Sequence, residues 1–140
     1  MSLIRKIYFL FRLAKKENRK DISRENFSNK LVHNQVIIDI NVRTIRNSTK
    51  KFNSLIFKEK ISSENGFRLI YTKGFNSFGF KEDVDLVFCD IHNQVIAIYS
   101  NFKPNKMTSF NQEARSIFVL ANNTNKYLNI KKNDLLKIYK

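Results

Sequence analysis

Two runs of apolar residues flank a short polar break between positions 84 and 99. The first run is Val84 to Cys89 and the second is Val95 to Tyr99, with the polar stretch Asp90 to Gln94 between them. Apolar, β-branched runs of this length joined by a short polar segment are typical of a β-hairpin whose strands are largely buried. The pattern therefore predicts two paired strands in the core of the fold.

Further apolar runs predict the remaining elements. Residues 31–45 alternate well enough for one long strand, and residues 53–61 suit a short helix. Short strands are predicted at 67–71, 75–80, 115–121 and 135–139, with a helical turn at 122–129. The predicted fold class is α+β and mostly β. We expect a compact barrel-like or strongly curved antiparallel sheet, with two or three short helices and an N-terminal amphipathic helix.

Residues 1–20 carry apolar side chains at helical spacing, with basic side chains on the opposite face. Arg12 interrupts the apolar run too early for a secretory signal, and the run is far shorter than the roughly 20 residues of a membrane span. Residues 1–30 are therefore predicted to be a basic amphipathic helix and linker, followed by a single β-rich domain at 31–140. The helix either contacts an anionic membrane surface or a protein partner, or packs on the domain. The candidate contact residues are Ile7, Leu10, Phe11, Arg5, Arg12, Lys15 and Lys16.

The chain is strongly basic. Its 140 residues include 26 Lys and Arg against 12 Asp and Glu, which gives a formal net charge of +14. Such a charge favours a polyanionic partner, either nucleic acid or an anionic membrane. An AT-rich genome would also encode many of these lysines, and Lys outnumbers Arg 18 to 8 although Arg is the better bidentate phosphate ligand. The charge alone does not choose between the two explanations.

The sequence contains few potential metal ligands and lacks the common catalytic motifs. Cys89 is the single cysteine, so no intramolecular disulfide forms. A reducing, cytoplasmic compartment is therefore expected. If the N-terminal helix binds lipid, the protein is expected to be peripheral at the inner face of the membrane. One Cys and two His are too few for a Cys/His zinc site. The sequence contains no Gly-rich phosphate loop, serine nucleophile elbow or His-Glu-x-x-His motif. We therefore predict no metal and no cofactor, and favour a protein that is not an enzyme.

One candidate polar site consists of Asp85, Asp90 and His92, around the first hairpin strand. Strand alternation places Asp85 on one face and Asp90 with His92 on the other, so a carboxylate pair for acid–base chemistry is poorly supported. Asp90 and His92 share a face and can pair. The alternative is structural: Asp85 anchors a turn through backbone N–H groups, and Asp90 starts the hairpin turn.

A second candidate site combines aromatic and basic residues between positions 67 and 81. Strand aromatics can stack on bases while cations meet phosphates, so this cluster suits RNA or DNA binding. Packing in the core is the simpler explanation for most of its phenylalanines. The candidate nucleic-acid contacts are Arg68, Tyr71, Lys73 and Lys81.

The pentapeptide His-Asn-Gln-Val-Ile occurs twice, at 33–37 and at 92–96. Both copies stand where a polar turn enters a predicted strand, and no further similarity surrounds them. We interpret the repeat as shared local structure in a biased composition, rather than as a duplication or a metal-binding pair.

Several short motifs follow the order of a known family between about Ile40 and Ile138. They are Ser54–Lys58, Gly66–Tyr71, Ser77–Lys81, Val84–Asp90, Pro104, Ser116–Leu120 and Ile130–Asp134. In this order they resemble the domain-of-unknown-function family 192, a small bacterial and archaeal domain. The resemblance implies a compact β-rich fold and makes Asp85 the position of greatest interest. The family has no agreed biochemical activity.

This chain departs from the family pattern at four positions within or next to these motifs. Gly79 stands for the usual tryptophan, Phe80 for a methionine, Ala121 for a glutamate and Asn133 for a glycine. A polar pocket built on these positions would be incomplete here. The leading hypothesis is a non-enzymatic binding or structural module tethered through its basic N-terminal helix, and the alternative is an RNA- or DNA-binding protein. The sequence does not indicate an oligomeric state.

Overall fold

The computed structural model describes residues 29–46 and 61–139, which form seven strands and one short helix. Strand residues make up about half of this described part, so the prediction of a mostly β protein is confirmed. The elements are β1 Asn29–His33, β2 Val36–Arg46, β3 Asn65–Ile70, β4 Val84–Cys89, β5 Val95–Phe102, β6 Ser116–Ala121, α1 Thr124–Leu128 and β7 Leu136–Tyr139.

All seven strands belong to one sheet in the order β5-β4-β6-β3-β2-β1-β7. The pairs are antiparallel except β2 with β3, which run parallel, so the prediction of a purely antiparallel sheet is wrong at this pair. Parallel neighbours cannot be joined by a tight turn, and residues 47–64 separate these two strands. The long connection permits the parallel pair, and the sheet is mixed.

The sheet is strongly curved and forms a half-barrel, as predicted. Its two edge strands meet at one end. The Val95 N–H donates to the Asp134 carbonyl at 2.8 Å, and the Asn133 N–H donates to the Val95 carbonyl at 2.8 Å. An isolated bridge pairs Gln94 with Leu135 at the same place. The backbone groups of both sheet edges are thereby paired at that end, which limits the exposed edge.

Apolar side chains form one core layer on each face of the sheet. The inner layer contains Val95 from one edge strand and Leu136 from the other. It also includes Ile38, Val87 and Phe118. The outer layer includes Phe67, Leu86, Phe88 and Val119 and is covered by Phe75 and Phe80 from the loop before β4. Strand β4 is buried along its whole length, as its mostly apolar sequence predicts, and the buried residues include Asp85.

Three sequence-based predictions differ from the structure. Residues 31–45 do not form one strand, because Asn34 and Gln35 both adopt positive φ (49° and 70°) and turn the chain into a β1–β2 hairpin. Residues 75–80 are a loop with one isolated bridge at Asn76. Of the two or three short helices predicted, the described residues contain only one, at 124–128, where a helical turn was expected. The predicted N-terminal helix and most of the helix predicted at 53–61 lie outside the described residues.

The two His-Asn-Gln segments are both hairpin turns, and both contact residues 134–136. Asn34 donates its N–H to the Leu135 carbonyl at 2.9 Å, and the Asn93 carbonyl accepts the Leu136 N–H at 2.9 Å. The repeated pentapeptide thus reflects shared local structure, as interpreted from the sequence.

Candidate functional site

An open groove lies between two loops on the outer side of the sheet. One wall is the segment 71–76 after β3, and the other is Met107, Thr108 and Phe110 after β5. The groove has a volume of about 500 Å³. This is within the range of small-ligand sites, roughly 300–1,000 Å³.

Backbone and hydroxyl hydrogen bonds hold the two walls together. The Thr108 N–H donates to the Phe75 carbonyl at 2.9 Å, while Thr108 Oγ1 accepts the Phe75 N–H at 3.0 Å. Further along, the Asn111 N–H donates to the Lys73 carbonyl at 2.8 Å. At the other end, Ser77 is fully buried and donates its hydroxyl to the Lys103 carbonyl at 2.6 Å. These bonds fix the spacing of the walls.

The groove exposes large apolar side chains above an aromatic floor. Tyr71, Met107 and Phe110 are 70%, 69% and 67% exposed, whereas Phe75 is buried beneath them. Phe75 packs edge-on against Phe80, with ring centroids 5.8 Å apart, and this pair belongs to the outer core. The floor of the groove is therefore part of the packed core, and the exposed side chains lie above it.

Tyr71 occupies an unusual backbone conformation. Its φ is 62°, although its N–H still continues the β3–β6 ladder by donating to the Arg115 carbonyl at 2.9 Å. Among the described residues the other non-glycine positions with positive φ are seven asparagines and Gln35. Asparagine tolerates this region, whereas a bulky side chain there is strained. The chain thus holds an exposed aromatic in a costly conformation at the groove.

Basic side chains surround the groove. Lys73 donates its Nζ to the Gln112 carbonyl at 2.6 Å, which bridges the two walls. Lys106 and Arg115 are exposed next to the groove residues, and Lys103 pairs with Asp83 at 2.9 Å. The described residues carry 13 Lys and Arg against 8 Asp and Glu.

The structure brings together two of the four predicted nucleic-acid contacts. Tyr71 and Lys73 line the groove, and Lys81 is exposed in the loop that leads to β4. Arg68 lies half-buried within β3, where its Nε donates to Thr44 Oγ1 at 3.3 Å. Burial lowers the pKa of Arg68, and the charge of Arg46 lowers it further. Most of the predicted phenylalanines are core residues, as the alternative explanation held: Phe67, Phe75 and Phe80 are buried, and Phe78 is exposed.

The second wall of the groove was missed by the sequence analysis. Met107 and Phe110 lie in a polar stretch without strand periodicity, and neither belongs to an apolar run. The one signal for an exposed site was that these two large apolar residues lie in a segment that is not predicted to be a buried strand or helix. Their position opposite Tyr71 depends on the Asn76–Met107 bridge, which no local pattern indicates.

Asp85 is fully buried, and both of its carboxylate oxygens accept backbone N–H groups. Oδ1 accepts the N–H of Asn101 at 2.9 Å, and Oδ2 accepts the N–H of Asn125 at 2.8 Å. The Asn125 side chain is buried nearby, and its Oδ1 has no hydrogen-bond partner. Asp85 thus ties the end of β5 to the start of α1, in agreement with the anchoring role considered from the sequence.

Asp90 and His92 belong to the hairpin turn at the other end of β4. Asp90 Oδ1 accepts the backbone N–H groups of His92 and Gln94 at 2.9 and 3.0 Å, which is an Asx-type turn. The His92 side chain is exposed. Five residues of extended chain, roughly 16 Å, separate Asp85 from Asp90. The structure therefore does not bring the three polar candidates into one site.

Cys89 is buried at the end of β4. Burial raises the pKa of its thiol to about 12, and the nearby Asp90 carboxylate acts in the same direction. The thiolate is the reactive form of cysteine, so this side chain behaves as an inert core residue at neutral pH.

The membrane or partner contacts predicted at residues 5–16 lie outside the described residues. No helix in the described ranges is long and apolar enough to cross a membrane. Within residues 29–46 and 61–139, no group of three or more His, Cys, Asp or Glu side chains is placed to hold a metal ion.

Comparison with known proteins shows the fold. No protein-family model matches the chain, and neither does any curated protein. A solved protein of unknown function from Novosphingobium aromaticivorans DSM 12444 superposes with a TM-score of 0.66 at 15% identity, covering 78% of this chain and 82% of that one. A "putative transcription regulator" from Sinorhizobium meliloti 1021 superposes with a TM-score of 0.65 at 15% identity, covering 79% of this chain and 91% of that one. At this identity the chain shares the half-barrel fold with both proteins.

Proposed function

We propose that this protein is a small, non-enzymatic binding module whose ligand surface is the groove between residues 71–76 and 107–110. The observation that carries the proposal is Tyr71, a largely exposed aromatic held at a φ of 62°. Evolution rarely keeps a bulky residue in that conformation without a use for it, since asparagine or glycine would be more stable there. Met107 and Phe110 add an apolar surface directly opposite.

The ligand class that this groove favours is single-stranded nucleic acid. Tyr71 and Phe110 offer exposed aromatic rings on which bases can stack, and Lys73, Lys106 and Arg115 lie within or beside the same loops. Stacking on an aromatic contributes about 1–3 kcal/mol per base, and cations along the path bind the phosphates.

The test is binding of a fluorescein-labelled 12-nucleotide single-stranded RNA, measured by anisotropy at about 50 mM salt, where phosphate contacts are strong. We expect the wild type to bind, and Tyr71→Asn and Phe110→Ala each to weaken binding by about 5-fold to 100-fold, the range of one lost stacking contact. Tyr127→Ala is the matched control, because Tyr127 is an aromatic on α1 that is 62% exposed and outside the groove. Absence of binding by the wild type, or an equal loss in the Tyr127 variant, contradicts the proposal.

We further propose that the basic residues of the N-terminal segment tether this module to an anionic membrane surface. The support is the amphipathic pattern of residues 1–20 and the basic charge of residues 1–28, which carry 8 Lys and Arg against 3 Asp and Glu. The test uses the full chain with Ile7, Leu10 and Phe11 all replaced by Asp. These three positions precede β1, which begins at Asn29. Loss of co-sedimentation with phosphatidylserine vesicles supports the tether, and unchanged co-sedimentation contradicts it.

A further inference from the structure

Phe78 is a further exposed aromatic side chain beside the groove. It is 51% exposed, and it follows by two residues Asn76, which lines the groove and bridges to Met107. Two residues of extended chain span at most about 7 Å, so Phe78 lies next to the groove. Its neighbours Phe75 and Phe80 both belong to the outer core layer. The surface around Phe78 therefore continues the groove on the same side of the sheet.

A tight turn holds the backbone of Phe78. The Phe80 N–H donates to the Ser77 carbonyl at 3.1 Å, which closes a four-residue turn with Phe78 in its second position. The third position is Gly79, whose φ of 87° suits glycine at this place in a tight turn. The Gly79 N–H also donates to Asn105 Oδ1 at 3.0 Å. The exposed ring is thus attached to a fixed piece of backbone.

The buried Ser77 fastens this turn to the loop at residues 103–106. Its hydroxyl donates to the Lys103 carbonyl at 2.6 Å and accepts the Lys106 N–H at 3.1 Å. Its backbone adds two hydrogen bonds, because its N–H donates to the Lys106 carbonyl and its carbonyl accepts the Asn105 N–H, both at 2.9 Å. Four hydrogen bonds through one residue fix the turn and the loop relative to each other.

The loop brings cations to the same surface. Lys103 and Lys106 are both exposed, and Lys106 directly precedes Met107 of the groove wall. Lys103 pairs with Asp83 at 2.9 Å, whereas Lys106 takes part in none of the ion pairs between described residues. A cation beside both the groove and Phe78 is placed to meet a phosphate that joins two nucleotides.

We propose that Phe78 and Lys106 form a second subsite, which binds the next base and phosphate of a nucleic-acid strand that leaves the groove. This inference rests on the proposed function for the identity of the ligand. The ring of Phe78 stacks on the base, and the Lys106 ammonium binds the phosphate between that base and the groove. The ligand class is thereby narrowed to strands longer than the groove itself holds. Stacking makes the subsite tolerant of base identity.

The first test replaces Phe78 with Ala and with Tyr in the full chain. The side chain is 51% exposed, so neither replacement is expected to prevent folding. Affinity for the same 12-nucleotide RNA is measured by anisotropy at about 50 mM salt. We expect Phe78→Ala to weaken binding by about 5-fold to 100-fold, the range of one lost stacking contact. Phe78→Tyr keeps a ring and is expected to bind within about 2-fold of the wild type.

The second test compares Lys106→Gln with Lys126→Gln across a salt series. Lys126 is the matched control, because it is an exposed cation on α1 and outside the groove. We expect Lys106→Gln to weaken binding and to reduce the slope of log K against log salt by about 1. Lys126→Gln is expected to leave the slope unchanged.

Four outcomes overturn the inference, each in a different way. If Phe78→Ala binds like the wild type while Tyr71→Asn loses binding, the groove binds the strand and the second subsite is wrong. If the wild type binds no RNA, both the proposed function and the inference fail. If Phe78→Tyr loses as much affinity as Phe78→Ala, stacking is wrong. If Lys106→Gln keeps the salt slope of the wild type, the phosphate contact is wrong.

Discussion

The buried carboxylate of Asp85 accepts the backbone N–H of Asn125 at 2.8 Å, across 40 residues of sequence. Its other oxygen accepts the N–H of Asn101 at 2.9 Å. One side chain therefore satisfies two backbone donors from two different connections, where β5 ends and where α1 begins. Asp85 thus links these two connections to β4 through its side chain.

Replacing Asp85 with Ala is expected to destabilise the fold by about 2–5 kcal/mol, because two donors lose their charged acceptor and a buried unsatisfied donor costs about 1–3 kcal/mol. Urea unfolding followed by circular dichroism measures the change. Asp83→Ala is the matched control: Asp83 pairs with Lys103, whose side chain is 66% exposed, so its loss is expected to cost less than about 1 kcal/mol. Equal effects of the two substitutions would contradict the anchoring role.

Gly66 has no room for a side chain. A Cβ at this position would lie 2.7 Å from Leu120 Cδ2 and 3.3 Å from the Val119 carbonyl oxygen. Gly66→Ala is expected to cost about 1–3 kcal/mol through overpacking of the inner core. Gly74→Ala serves as the control, because the nearest atoms to its Cβ are 3.8 Å away. Thermal unfolding of both variants decides the point, and a Gly66→Ala protein as stable as Gly74→Ala would refute the close contact.

His33 and Asp134 join β1 to the segment before β7, with Nε2 and Oδ2 2.7 Å apart. Burial acts to raise the pKa of Asp134, but hydrogen bonds from His33, the Lys131 N–H and Asn34 outweigh it and the pKa lies below its ordinary value. A lowered pKa in the folded state means that the ionised carboxylate stabilises the fold above its unfolded pKa of about 3.9. This contribution is lost as the pH falls through the folded pKa.

Asp134→Asn is therefore expected to reduce stability at pH 7 and to flatten the decline of stability between about pH 5 and pH 2. Urea unfolding at several pH values gives both quantities. If the substituted protein keeps the pH dependence of the wild type, the carboxylate does not stabilise the fold through its contact with His33.

We expect that Tyr71 lowers the free energy of unfolding through its backbone strain. Because its φ is 62° and its side chain is largely exposed, Tyr71→Asn relieves backbone strain without removing core contacts. We expect a gain of about 0.5–1 kcal/mol, the order of the left-handed penalty for a bulky residue. Thermal unfolding measures it, and a clear loss of stability would show that the tyrosine is held by packing rather than for a ligand.

Cys89 is expected to resist alkylation in the folded protein, since its pKa is raised to about 12 and its side chain is buried. Reaction with iodoacetamide at pH 8 should be slow in buffer and fast in urea, where the thiol pKa returns to about 8.5. Mass spectrometry counts the adducts. Rapid modification in buffer would mean that β4 opens readily.

Local patterns in the sequence were sufficient for most strands. The apolar runs at 84–89 and 116–121 are buried strands, with Asp85 inside β4 and Asp90 in the turn that follows it. The sequence could not predict the parallel β2–β3 pair or the meeting of the sheet edges at Val95, because these depend on contacts between distant segments. The prediction of one long strand at 31–45 overlooked the break at the polar residues Asn34 and Gln35, although the repeated His-Asn-Gln segment was interpreted as a turn entering a strand.

The candidate site was half predictable. Tyr71 and Lys73 were identified because aromatic and basic residues alternate around β3. Met107 and Phe110 were not, because an exposed apolar side chain in a loop has no periodicity and gains its meaning only from the residues opposite. The resemblance to the domain-of-unknown-function family 192 remains a prediction, and the two structural neighbours share only the fold.

The central claim is that the groove between residues 71–76 and 107–110 is the ligand surface, and backbone amide shifts of the full chain titrated with single-stranded RNA test it most directly. We expect the largest shifts to fall within 71–76 and 106–112, and we expect Tyr71→Asn to suppress the shifts in the groove. Shifts centred on α1, on the turn at residues 90–94, or on no surface of the described fold would contradict it.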